Sequence, residues 1–290
     1  MSFRIIYFIC LTLLFQVQLM ATEESMLMLR NIAENDPVED YRAIAQSYPW
    51  DEVLYSPVKT RKNLLDVGCG TGRWLAAIQS NTNLCSSQGI ISYDCVDPSS
   101  NAISHCQKTL HKPFQWGRGF ATTIQEAPLP AEKYDFLWSF HSLYAVPLSE
   151  LSIVLEKCHR LLKPGGQGWF ALATKDAFYC QVYKSFQEEF QLGSVDQYIS
   201  AEDVTFALER LNIPFTVHVI EYEEVIAEED IGRLEHFIQN ECIAYSFNRD
   251  HDPQMNDILS NSVMNEVITS HLKSGEYRFP QKIWLIEFRG

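Results

Sequence analysis

The chain has 290 residues, 46% hydrophobic and 21% charged, with a net charge of −14. Those totals describe a soluble globular protein holding one large α/β domain with an elaboration, or two small domains. So acidic a chain lacks the clustered Lys and Arg that phosphate-rich partners require, which argues against nucleic acid and anionic membrane and favours a small, cationic or amine partner.

At the N-terminus, Arg4 precedes the apolar run Ile5–Phe15, and Leu19-Met20-Ala21 offers a cleavage site. Residues 1–21 read as a signal-peptide-like segment, whose apolar run is shorter than the ~20 apolar residues of a membrane span. The other cysteines, Cys69, Cys85, Cys95, Cys106, Cys158, Cys180 and Cys242, are odd in number and lack close-set pairs. They fit neither a disulfide framework nor a zinc site. The protein is thus expected to be secreted if the apolar run is used, and cytoplasmic if translation starts at Met20. The remainder, 22–290, reads as one domain with a core at about 60–175 and elaborations at 22–58 and 223–281.

Within 22–58, Tyr41, Ile44, Ala45 and Tyr48 lie at helical spacing, ended by Pro49. A strand over Asn63–Val67 then breaks into Gly68-Cys69-Gly70-Thr71-Gly72 and re-enters a helix at Trp74. Alternate glycines permit positive φ and let a ligand lie against bare backbone, while the helix start offers free amides. The dinucleotide pattern G-x-G-x-x-G fails, since Arg73 holds its sixth position. Asp66, beneath the turn, either braces it through N–H bonds or receives a ligand's ammonium through water.

Strand two, Ile90–Val96, ends in Asp97, placed to accept both hydroxyls of a ribose. The polar loop Asn81–Gly89 lengthens the interval. A helix at Asn101–Leu110 leads to a short strand, Pro113–Trp116, with Thr122 beyond it. Strand four, Tyr134–Ser139, runs into Phe140-His141; helix Leu148–Leu162 ends at the stop Lys163-Pro164-Gly165-Gly166, which turns the chain into strand five, Gly168–Leu172. Such alternation predicts a mostly parallel sheet with helices on both faces. Later come a capping box at Ser200–Asp203 opening a helix through Leu211, and a strand at Phe215–Tyr222. Helices at Asp230–Ala244 and Met255–Leu272 and a last strand at Lys282–Phe288 complete the chain, the last two strands forming a closing hairpin.

The glycine turn, Asp97 and the Leu-Lys-Pro-Gly-Gly run together resemble class I S-adenosylmethionine-dependent methyltransferases. That resemblance implies a Rossmann-like seven-stranded sheet with an antiparallel last strand, and S-adenosylmethionine as cofactor. It assigns cofactor binding to Asp66, Gly68, Cys69, Gly70, Gly72, Asp97, Thr122 and Phe140. Val96-Asp97-Pro98-Ser99, Tyr134-Asp135-Phe136 with Leu143-Tyr144, Gln197-Tyr198-Ile199-Ser200, and the tail Phe279 to Glu287 are similar to the histamine N-methyltransferase family. This second resemblance implies a metal-free enzyme for a small amine, with His141, Tyr144 and Gln281 at the substrate. His141 and Gln281 stand where that family has glutamine and asparagine, and its substrate-facing glutamate has Glu39 and Glu52 as candidates. His141 would orient the acceptor or take its proton, or serve only as a structural group. Tyr48, Trp50 and Tyr144 either wall a cation-binding pocket or belong to the core. The oligomeric state stays open, a monomer being compatible with everything above.

Overall fold

In a computed structural model that describes residues 39–190, 198–242 and 255–290, the alternating apolar runs assemble into one eight-stranded sheet. The strands are β1 (Arg61–Val67), β2 (Ile90–Val96), β3 (Phe114–Phe120), β4 (Tyr134–Phe140), β5 (Leu162–Ala173), β6 (Phe215–Ala227), β7 (Leu272–Lys273) and β8 (Glu276–Arg289). Their order is β3-β2-β1-β4-β5-β8-β6, with β7 paired to β8. β1 to β5 are parallel, and β8 runs antiparallel to both β5 and β6. This is the expected Rossmann-like sheet with one short extra strand.

Burial on both faces explains why the central strands are almost continuously apolar. Leu64, Leu65, Asp66 and Val67 of β1 are all buried, alternating between two cores. Over one face lie α1 (Glu39–Ser47), α2 (Trp50–Leu54), α3 (Arg73–Asn81) and α4 (Ser100–Lys108), around an aromatic knot of Trp50, Trp74, Trp138 and Trp169. The other face is covered by α5 (Leu151–Leu161) and α7 (Ala201–Arg210). A third core gathers Phe178 and Phe186 of α6 (Phe178–Phe190), Phe237 of α8 (Ile231–Cys242), Ile258 of α9 (Met255–Ser260) and Met264 of α10 (Ser262–Thr269) against Phe279 of β8.

Several boundaries differ from the expected ones. β3 runs on to Phe120, because Cys95 and Val96 of β2 continue the ladder past a bulge. The closing hairpin is longer than expected, pairing as far as Ala227 with Glu276, so the insertion between its strands shrinks to 228–275. The expected helix Met255–Leu272 is two helices, split where the Asn261 side chain caps the second by accepting from the Val263 and Met264 amides. Ala244, the expected end of the preceding helix, lies outside the described residues, as do residues 1–21 and Gln197. α6 was not anticipated: its Phe178, Val182, Tyr183 and Phe186 keep helical spacing, but aromatic and β-branched residues favour a strand locally.

What this topology does for function is local to one place. Strand order reverses between β1 and β4, which makes a crevice beyond their carboxyl ends. The glycine turn leaves β1 there, and His141 leaves β4 beside it.

Candidate functional site

The glycine turn is built by side chains that have no room to move. Gly68, Gly70 and Gly72 all have positive φ, at 75°, 50° and 88°. A Cβ at Gly68 would collide with Ser142, whose hydroxyl donates to the Val67 carbonyl at 2.9 Å, and one at Gly72 would press on Thr109 and Cys106. At Gly70 nothing lies within 4 Å of where a Cβ would stand. The turn is thus packed at its ends and open at its crest. Asp97 sits at that crest, buried, with Oδ2 accepting the Gly70 amide at 2.9 Å and Oδ1 the Ser99 amide at 2.8 Å. Each oxygen keeps a further lone pair for a ligand. The first bond inside α3 runs from the Ala76 amide to Gly72, which leaves the first-turn amides without a partner inside the helix. A bare backbone crest, a carboxylate beside it and the start of α3 fit the nucleoside and amino-acid ends of S-adenosylmethionine.

Asp66 faces inward rather than toward the crest. Tyr93 donates a short hydrogen bond to it, and burial, followed by negative charge at Cys106, pushes its carboxyl up to about 8. Phe140 is buried in the aromatic knot, 4.3 Å from the Trp74 ring centroid, so only its backbone faces the crevice. The Thr122 hydroxyl donates to Glu126 at 2.9 Å, beyond the end of β3.

On the other side of the crevice the structure brings His141, Tyr144 and Gln281 together with residues the sequence did not single out. His141 has a φ of 49°, uncommon for a side chain other than glycine, and is held by its amide on the Ala171 carbonyl at 2.9 Å. Its Nε2 lies 3.2 Å from Asp40 Oδ2 of α1, although that approach is too oblique for a hydrogen bond. Burial pushes the Asp40 carboxyl up and the His141 imidazole down, each against the pull of the other's charge. Tyr41 presses its ring edge on His141 at 5.5 Å and reaches Trp74 of α3 at 6.3 Å, so α1 spans the ends of β1 and β4.

Tyrosines wall the rest. Tyr144 stacks on Tyr198 at 5.5 Å, Tyr183 lies 5.6 Å from Tyr198, and the Tyr179 and Tyr222 hydroxyls are 3.1 Å apart. Gln281, almost wholly buried, accepts the Tyr179 amide at 3.4 Å and leaves its Nε2 without a partner. Phe237 packs 6.0 Å from Tyr179, and Glu241, one turn further along α8, has no hydrogen-bond or ion-pair partner among the described residues. Burial, then the negative charges of Asp40 and Glu224, pushes Glu241 well above the usual carboxylate range. Glu224 itself is paired with Arg233 at 2.5 Å. The result is an acidic, tyrosine-walled enclosure against the glycine turn. Among the described residues, no group of three or more His, Cys, Asp or Glu is placed to hold a metal ion.

Some expectations need correcting. Glu39 pairs with Arg42 at the surface and Glu52 is exposed; the inward carboxylate is Asp40, one position along. Helical spacing carried that signal, since Asp40 stands four residues before buried Ile44. Trp50 is core and donates to the Ile44 carbonyl at 3.1 Å, while Tyr48 packs half-buried against it and donates to Glu287 at 2.8 Å. Tyr179, Tyr222 and Glu241 had no readable signal, because only the long hairpin, α6 and α8 bring them to α1.

A family model described as "Methyltransferase domain" matches residues 64–166, the stretch from β1 through the start of β5. A (+)-O-methylkolavelool synthase from Herpetosiphon aurantiacus is 30% identical over 112 residues, 38% of this chain and 36% of that protein. A tRNA N(3)-cytidine methyltransferase from Gallus gallus is 27% identical over 125 residues, 42% of this chain and 31% of its own length. The chain thus spans about a third of the length of these curated relatives. Among solved structures, the YcgJ protein of Bacillus subtilis superposes with a TM-score of 0.52 at 13% identity, covering 87% of this chain and 98% of its own. The [4+2]-cyclase SpnF superposes at 0.50 with 15% identity, covering 94% and 95%. These likenesses establish the fold, and SpnF's name is a reminder that the fold alone does not decide the reaction.

Proposed function

We propose that this protein, which carries an S-adenosylmethionine-dependent methyltransferase domain at residues 64–166, transfers a methyl group to a small amine. Gly68, Cys69, Gly70 and Gly72 would hold the cofactor through backbone, and Asp97 would accept its ribose hydroxyls. When bound, S-adenosylmethionine supplies an electrophilic methyl group on its sulfonium. The acceptor side belongs to Asp40, His141, Tyr144, Tyr179, Gln281 and Glu241.

The observation that carries the amine reading is the placing of Asp40 and Glu241 among tyrosines, with no neutralising partner at Glu241 among the described residues. Two buried carboxyls near one another are costly, and a ligand cation relieves that cost while tyrosine faces add cation–π attraction. The methyl-accepting nitrogen itself must be neutral. Burial keeps His141 unprotonated, so its imidazole, backed by Asp40, is able to take the proton that an attacking amine sheds. Tyr41 and Tyr144 would exclude water and orient the acceptor, and orientation contributes about 7–11 kcal/mol in favourable systems. The unpartnered Nε2 of Gln281 supplies a fixed donor to a neutral nitrogen or oxygen of the acceptor. With His141 and Gln281 in place of glutamine and asparagine, histamine itself is expected to be a poor substrate.

Calorimetry with S-adenosylmethionine on wild type and Asp97→Ala, followed by an amine panel read as S-adenosylhomocysteine release, tests the proposal. Tight cofactor binding that depends on Asp97, with turnover of amines, is the expected result. Methyl transfer to tRNA and none to amines would overturn the acceptor assignment, and unchanged affinity in Asp97→Ala would overturn the cofactor site.

A further inference from the structure

Three buried thiols share the core at and beneath the glycine turn, and the acceptor chemistry uses none of them. Cys69 lies between Gly68 and Gly70, Cys95 stands opposite Asp66 in the β1–β2 register, and Cys106 faces them from α4. All are buried. The Cys69 amide reaches the Val96 carbonyl at 3.4 Å, next to Cys95. A Cβ on Gly72 would stand 3.4 Å from Cys106 Sγ, so that sulfur touches the turn from below. The Tyr93 hydroxyl lies 3.3 Å from the same sulfur and also binds Asp66.

A buried cysteine is ordinarily a small hydrophobe, and any one of these alone would be no more than that. Their convergence on a segment that must shape itself around a ligand is different. Cys95 is fixed in a strand paired on both sides, whereas Cys69 rides on the turn. We propose that Cys69 and Cys106 are an oxidative modification site: a hydroperoxide joins them in a reversible disulfide that pulls the turn onto α4 and closes the cofactor crest.

Hydrogen bonds from Cys69, Cys95 and Tyr93 hold the Cys106 thiol below its ordinary range. In the reaction, the Cys106 thiolate attacks one peroxide oxygen, the O–O bond breaks, and the departing hydroxide takes a proton to become water. The Cys69 thiol then displaces hydroxide from the Cys106 sulfenic acid, forming the S–S bond and a second water. The two thiols lose two electrons and the peroxide gains them.

The test uses the full chain with Cys85→Ser, which removes the exposed thiol. Hydrogen peroxide should join the peptides of Cys69 and Cys106, as read by mass spectrometry, and lower S-adenosylmethionine affinity by about tenfold or more, with dithiothreitol restoring it. Saturating S-adenosylhomocysteine should slow the cross-link. Cys69→Ser and Cys106→Ser should each keep their affinity under peroxide, while Cys158→Ser, a buried thiol remote from the turn, should respond as the parent does. A disulfide that maps elsewhere, or a Cys69–Cys106 disulfide that leaves affinity unchanged, overturns the proposal. Because peptide mapping needs no cofactor, failure of the methyltransferase reading would be seen separately, as absent binding to the reduced protein.

Discussion

Asp66 and Asp97 end adjacent strands with the same side chain, yet the structure gives them opposite tasks. Asp97 borders open space, and replacing it with alanine should cost about 1.5–3 kcal/mol of cofactor binding, roughly tenfold to more than a hundredfold in affinity. Asp66 is enclosed, its carboxyl pushed from 3.8 to about 8. Folding therefore takes up a proton at this site. Its contribution is complete below the ordinary carboxylate value and is lost as pH rises through about 8, by at most about 1.4 kcal/mol per pH unit. Asp66→Asn should flatten the fall in melting temperature between about pH 5 and 8, which thermal unfolding in matched buffers would read; an equal slope in both proteins would show that Asp66 ionises freely. On the acceptor side, Asp40→Asn and Glu241→Gln should each raise KM for an amine substrate by about tenfold or more while cofactor affinity stays put. Equal losses of both would mean that these carboxylates support the fold instead.

The glycine turn and the caps separate packing from function among the elements. Gly68→Ala should fail by collision with Ser142 and lower the melting temperature sharply. Gly70→Ala meets no atom, so it pays only the left-handed backbone cost of about 1–2 kcal/mol, yet its methyl group occupies the crest. Its affinity for S-adenosylmethionine should drop more than its stability does, a comparison that calorimetry and chemical denaturation make directly. At α7 the expected capping box is present: Ser200 accepts the Asp203 amide and Asp203 accepts the Ser200 amide. Ser200→Ala should cost about 0.5–2 kcal/mol of stability without touching cofactor binding. These elements were readable because caps and glycine turns act over three or four residues. The split at Asn261 was not, since Asn within an apolar helical pattern shows no break until its side chain turns back onto the next amides.

For the molecule as a whole, the expectation that residues 1–21 are dispensable rests on the chain alone. A protein beginning at Ala21 should be soluble, bind S-adenosylmethionine and keep its thiols free, as gel filtration, calorimetry and thiol counting would report. Aggregation, or native disulfides in that protein, would contradict it. By itself the sequence determined the fold class, the mostly parallel sheet with its antiparallel last strand, and the glycine turn with Asp97 proposed for the cofactor, because each depends on local periodicity and backbone permission. Only the tertiary structure decided that Tyr179 and Tyr222 share a wall, and that Glu241 lies near Asp40 with no partner among the described residues. Those residues come from α1, α6, α8 and the long β6–β8 hairpin, so distant parts of the chain meet at one place. Charge and desolvation act through space, and no spacing along the chain records which carboxylates share a buried enclosure or which thiols lie beneath a turn.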